Sequence, residues 1–487
     1  MSTLEAEQAL QWELAALRRR RRLLPLGLPA ATVLLLLAIL AFDLCGPRAI
    51  ETLRGQRSLT GARRYVPAVT PDRDALARID LEALHERLLP RWGLALGWGR
   101  ESTEEARAFD AVLAAVERDP NLVALLLELR SAARTDAARR SSRIEYLVWA
   151  YNHYLAEVEV PWHLECNVEV GAGRNRLIVQ TYRVRRRTVV RVGAHSYPLL
   201  VLERADHLNV DDAALGRAGL GDGVAEVLVA GVREHAMRRV WPLLHELSAQ
   251  GTQTDGHFSR ALSAEVRRAL DPRDYAILSR TAPAYRALLM MRESVLTRED
   301  CGSRFRLSYP PERGYTAAQQ GHLALIAENE QESPCPAVTL DEAATVARES
   351  AVLAGVEGLD AALDALTDHL VDGVAVHEAR HAADEARAHA YSRPLRCPAC
   401  PEALGTLARA EVSAYLASFA AESTGVASLH QACRVTSGDN VNAVALGYLL
   451  PKLLPEGCTA GPPSDLHRRA RQLQYSLFGR SDRIAVE

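Results

Sequence analysis

Charge of one sign is what this chain lacks first: 58 basic residues against 61 acidic ones leave a formal net charge of −3. That balance removes the electrostatic case for nucleic acid as the main partner. Lysine is almost missing, Lys452 being the sole one, and Arg, Ala and Leu stand in its place. This is the coding bias of a GC-rich genome and carries no mechanism. There is no internal repeat at a fixed period and no long low-complexity tract, which excludes solenoids and arrays. What remains is 487 residues, 48% of them hydrophobic, too long for one ordinary core. Two or three folded units plus an anchor are expected.

The anchor is read from the first fifty residues. Five arginines, Arg18 to Arg22, precede an uncharged apolar run from Leu23 to Phe42, which as a helix measures about 30 Å and matches a hydrocarbon core. The small A-x-A residues of a cleaved signal peptide are lacking, since Ala41-Phe42-Asp43-Leu44-Cys45 follows the run. Cys45 also lacks the small residues that precede a lipoprotein cysteine. The expectation is an uncleaved single span over 23–44, with 1–22 in the cytoplasm and the bulk of the chain extracytoplasmic, periplasmic or at the cell surface. Envelope proteins then become possible partners. Pro25 and Pro29 fall near the start of the span, where a missing amide is best tolerated.

Seven of the eight cysteines lie beyond the span. Several flank Pro or Gly (Cys301-Gly302, Pro334-Cys335-Pro336, Gly457-Cys458), as loop-stapling disulfides do. Cys166, inside a strand-like run, is the candidate for the free thiol. Cys397-Pro398-Ala399-Cys400 has no second CxxC or nearby His pair to complete a zinc site, so a local disulfide is the better reading.

Residues 45–75 read as a linker. From Leu76 to Arg140 the apolar spacing is helical, as in Leu122, Leu125, Leu126 and Leu129. His163 to Val170, Arg176 to Val184, Thr188 to Val192 and Pro198 to Leu202 are short runs rich in Val, Ile and Tyr, which predict a small antiparallel sheet over about 160–205. Arg183 to Arg187 would be a solvated hairpin turn between two of them. Helical spacing returns from Gly223 to Leu296, and after a Pro-, Gly- and Gln-rich stretch with one strand-like piece, His322 to Ala327, the chain is helical nearly to its end. The expected fold class is α+β and mainly helical, with a helical region and small sheet over 76–300 and a helical metal-binding domain over 301–487.

Chemistry concentrates in His377-Glu378-Ala379-Arg380-His381. The segment Val374 to Ala390 has no Gly or Pro, so a helix is favoured. Four residues turn a helix by about 400°, which puts both imidazoles on one face, able to reach one tetrahedral ion. Glu378 beside that face can hold a metal-polarised water and take its proton. The small apolar neighbours Val374-Ala375-Val376 and Ala382-Ala383 suit a helix packed inside a domain.

Over Val374 to Ala383 the sequence resembles the zincin metallopeptidases. The resemblance implies Zn2+ held by His377 and His381, Glu378 as general base, and a protein or peptide substrate. Arg380 departs from the pattern, that position being usually uncharged. Asp384 and Arg387 stand where metzincins need Gly and a third His or Asp, which excludes that subclass. A gluzincin third ligand is a Glu on a following helix. Glu411 supplies one among Leu407, Ala408, Val412, Tyr415, Ser418 and Phe419, a face that would be buried; the competing reading is a salt bridge to a buried Arg. Glu422 repeats that face, and Asp384 would support a ligating imidazole. His369 is read as solvated or capping, cut off by Gly373. Tyr415, His430, Arg434 and Tyr448 are open candidates for the donor to an oxyanion, and His322 to Ala327 for a substrate-pairing edge strand. The alternative to an enzyme is a membrane-tethered binding or scaffold protein with a zincin-like domain that does not turn over.

Overall fold

A computed structural model describes residues 72–96, 103–134, 137–171, 174–206, 214–218, 224–245, 253–296, 305–391, 395–435 and 440–487. The expected membrane span and residues 45–71 of the expected 45–75 linker lie outside them, and the last part of that linker is instead helical, over Arg73–Leu76. Among the described residues no helix is long and apolar enough to cross a membrane. The fold is mainly helical with one small mixed sheet.

The chain divides into two compact units, one built from residues 1–72 and 121–154, the other from 73–120 and 155–487. In the first, helix α2 (Pro120–Ala133) buries Leu122, Leu126 and Leu129, the i, i+4, i+7 stripe anticipated from the leucine spacing. Helix α3 (Ala137–Glu157) buries Ile144, Leu147 and Tyr151. The second unit begins with short helical segments over 73–95 and helix α1 (Thr103–Val116), whose Phe109 packs on Trp92 while the indole N–H of Trp92 donates to buried Glu105 at 2.9 Å.

The sheet of this unit has six strands: β1 (Trp162–Gly171), β2 (Arg174–Val192), β3 (His195–Arg204), β4 (Gly216–Ala218), β5 (Ala225–Leu228) and β6 (Ile484–Val486), in the order β1-β2-β3-β5-β4. Two expectations are corrected. Arg183 to Arg187 is no turn: β2 runs straight through it as one long strand with a bulge between Val184 and Arg186, because β1 pairs with its first half and β3 with its second. Its arginines reach acidic side chains, Arg185 to Asp368 at 3.3 Å and Arg186 to Asp372 at 2.7 Å. The sheet is also mixed, since β3 and β5 run parallel, and β5 is buried at all four residues as a strand covered on both faces must be. Beyond the bulge, β6 pairs with Val190, Arg191 and Val192 on the side β1 has left.

Helices α4 (Val229–His235), α5 (Gln253–Ala269), α6 (Pro272–Leu296), α7 (Ala317–Asn329), α8 (Leu340–Ala354), α9 (Leu359–Tyr391), α10 (Thr406–Ala420), α11 (Gly425–Arg434), α12 (Val441–Leu453) and α13 (Leu466–Phe478) complete the unit. α7 is the second correction to a strand reading: His322 to Ala327 is helical. Thr316 and Gln319 form a reciprocal capping box that starts the helix before the apolar run is reached. α9, about 50 Å long at helical rise, is the central rod. Leu363, Leu366, Val371, Ala375, Ala379, Ala382 and Ala383 on it are buried, in one core with β3, β5 and α6. Gly373 does not interrupt it. A Cβ there would come within 2.9 Å of the Thr424 side chain, so glycine marks a close helix approach and not a helix end. Cys397 pairs with Cys400 and Cys433 with Cys458, Cys335 is also disulfide-bonded, and Cys166 is free.

Candidate metal centre

α9 carries His377 and His381 one turn apart, and the two Nε2 atoms lie 3.1 Å from each other. The loop closed by the Cys397–Cys400 disulfide returns the chain into α10, which packs along α9 and brings Glu411 to the same point. Glu411 Oε2 stands 3.4 Å from His377 Nε2, and Oε1 stands 3.5 Å from His381 Nε2. All three side chains are about one-fifth exposed or less. The salt bridge to a buried Arg considered for Glu411 is replaced by this pair of imidazoles. Leu407, assigned to the same buried face, is instead 70% exposed, because it sits in the first turn of α10.

The orientation of His377 has a cause. Ser418, two turns beyond Glu411 on α10, donates its hydroxyl to the Ala414 carbonyl at 3.1 Å and lies 3.4 Å from His377 Nδ1. With its proton committed, Ser418 is an acceptor for Nδ1–H, and the tautomer that makes this bond is the one that frees Nε2 for a metal. Two imidazole nitrogens and a carboxylate oxygen, with ligand atoms all within 4.8 Å of one another, form the donor set that zinc takes in hydrolytic sites. Burial opposes ionisation of Glu411, but the two imidazoles override it and hold the carboxyl well below the usual range. For His381, burial works against the charged ring, while Glu411, Glu378 and Asp384 raise its pKa on balance.

Glu378 is buried beside these side chains, and burial raises its pKa, with His377 and His381 pulling the other way. Its neighbour is the backbone of β4. A Cβ on Gly216 would come within 2.8 Å of Glu378 Cγ and of Val374 Cγ1, so only glycine lets the strand pass this close. Tyr415 lies edge-on to the His377 ring with centroids 4.8 Å apart, and its hydroxyl donates to Asn442 Oδ1 at 3.3 Å. Burial, then the charges of Glu411 and Glu378, push its pKa up.

No protein-family model, curated protein or solved structure matches this chain. The centre therefore stands on its own geometry.

The other candidates separate cleanly. His430 is buried against Phe258 and takes a hydrogen bond from Arg434 at 3.4 Å, and Tyr448 reaches the Ala399 carbonyl at 3.4 Å. Neither is brought to His377, His381 and Glu411: the contacts of these side chains lie with Phe258, Arg434 and Ala399. Asp384 does not support an imidazole: it pairs with Arg380 and Arg480. Glu422 lies past the end of α10 and pairs with Arg471 in solvent. Ser418 was seen in the sequence only as part of a buried face, and Asn442, Gly216 and Arg217 were not singled out at all. Only Gly216 carries a local signal, a glycine at a strand edge.

A second gathering of similar side chains lies in the sheet. His163, Glu165 and Glu226 also bring ligand-type atoms within 4.8 Å of one another. Here Arg217 of β4 enters, pairing with Glu165 and with Glu226 at 2.6 Å, while His163 stands 3.5 Å from Glu226.

Proposed function

We propose that this protein is a zinc-dependent peptidase of gluzincin type, held to a membrane by the run Leu23 to Phe42, with its bulk on the extracytoplasmic side. The observation that carries the reading is the convergence of His377, His381 and Glu411 with Glu378 alongside. His377, His381 and Glu411 would hold the zinc, which would supply Lewis acidity to the site.

The chain's own groups do the rest. Glu378, whose proton affinity burial has raised, accepts the proton of the attacking water and delivers it to the leaving amine. Tyr415 keeps its phenolic proton and offers it as a hydrogen bond to the oxyanion that develops on the substrate carbonyl. Without substrate that proton goes to Asn442 Oδ1 in the first turn of α12, and the hydroxyl turns from this acceptor to make the donation. β4 has β5 as its one strand partner among the described residues. Its edge passes Glu378 at Gly216, which supports an extended peptide, added as a further strand, as the substrate form.

The test is made on the full chain in detergent. Purified protein should carry one zinc, and cleavage of a quenched-fluorescence peptide library should be lost in Glu378→Gln while the circular dichroism spectrum is unchanged. Folded protein without zinc after metal reconstitution, or a Glu378→Gln variant that still cleaves, overturns the proposal.

A further inference from the structure

Arg380, the position that departs from the zincin pattern, has a fully buried side chain. Its guanidinium is spent on three separate pieces of chain. On its own helix, Nε and Nη2 meet Asp384 at 3.2 and 3.1 Å. On α10, Nε donates to Ser413 Oγ at 2.9 Å, two residues beyond Glu411. From the segment after α13, Nη1 meets Asp482 at 2.8 Å.

Asp482 is itself held from several sides. Arg387 pairs with it at 3.0 Å, the Gly193 amide donates to the Arg483 carbonyl at 3.0 Å, and β6 follows at once on β2. Arg480 closes the group by pairing with Asp384. A planar fork with fixed donor directions suits such a task, since it sets angles as well as charge.

We infer that Arg380 is a positioning residue that fixes the α10 ligand Glu411 against the α9 ligands His377 and His381, and that the strap around Asp482 holds Arg380 in place. This rests on the metal-centre reading above. Ligand geometry at a metal tolerates little displacement, and partners outside the ligand set commonly change affinity about 10–100-fold when removed. The inference also accounts for charge at a position where the zincin pattern is uncharged: the side chain serves the second metal helix and not solvent.

The experiment measures zinc affinity of the full chain in detergent by competition with a chromophoric chelator, far below the unfolding midpoint. Melting of the metal-free protein is followed in parallel. Ser413→Ala removes only the bond from Arg380 to α10 and leaves no buried charge uncompensated; zinc affinity should fall about tenfold, with metal-free melting close to that of the parent. Asp482→Asn and Arg380→Lys should lower it about 10–100-fold. If Asp482→Asn fails to fold, Ser413→Ala decides. Unchanged zinc affinity in the folded variants overturns the inference, whatever melting does, because a purely structural network would move melting alone. A parent protein that binds no zinc refutes the metal-centre reading itself, a different and separable outcome.

Discussion

Two clusters in one unit gather histidine and glutamate, and they resolve the same electrostatic problem differently. At His163, Glu165 and Glu226 the positive charge comes from the protein, because Arg217 on β4 stands opposite Glu226 in register and reaches both carboxylates. At His377, His381 and Glu411 no guanidinium pairs with the carboxylate among the described residues, Arg217 acting only through its charge on neighbouring Glu378; the nearby Arg380 is turned to Ser413, Asp384 and Asp482. The first cluster is a closed ion-pair network. The second brings two imidazole nitrogens and a carboxylate to a shared point, the arrangement a metal site needs. Identical residue types thus sit in different electrostatic surroundings according to where the nearest arginine points.

That comparison breaks most sharply at Glu378. Glu378→Gln is expected to lower peptide cleavage about 1000-fold with zinc retained, a split read by turnover and metal analysis together. Next, His381→Ala should weaken zinc binding by about 100-fold or more, while His163→Ala leaves it unchanged; equal losses would mean the two clusters are not distinct in kind. Arg217→Met should destabilise the fold by roughly 2–3 kcal/mol in urea titration, less than a fully buried pair because the guanidinium is 30% exposed. Added zinc should recover part of that loss if removing the arginine turns the first cluster into the second kind.

The smallest effect concerns three buried histidines. Burial lowers His85 and His235 to about 4 and His430 to about 3. Their folded-state values lie below the ordinary 6.5, so the unfolded chain takes up protons first. Stability is full above about pH 6.5 and falls as pH drops toward 4. His430→Leu should flatten that slope by up to about 1.4 kcal/mol per pH unit, measured by urea unfolding at pH 7.5 and 4.5.

Much of the centre was legible because helical periodicity is short-range. The i, i+4 spacing of His377 and His381 needs no tertiary information, and Glu411 could be picked out as a carboxylate on an apolar helix face. Tyr415 followed from the same stripe, four residues on. His430 and Tyr448 were equally plausible by type, yet the turns between α10, α11 and α12 decide their direction, and those turns leave no periodic trace. The strand errors have the same root. The arginine cluster in β2 resembles a turn by composition, and only its pairing with β1, β3 and the acidic side chains of α9 makes it a strand. His322 to Ala327 has strand-like residues but begins after a Thr316–Gln319 capping box, a local signal that outweighs them.

Local order along the chain determined the helix that carries His377 and His381, the carboxyl of Glu378 beside them, the next helix with Glu411, and the Cys397–Cys400 staple between. Each depends on neighbours within a few turns, where backbone geometry alone sets the side-chain directions. Which arginine neutralises which carboxylate, which strand edge lies against Glu378, and how far apart α9 and α10 stand were decided only by the packed fold. Those distances join residues as remote as Gly216, Ser413 and Asp482, and sequence spacing carries no measure of them.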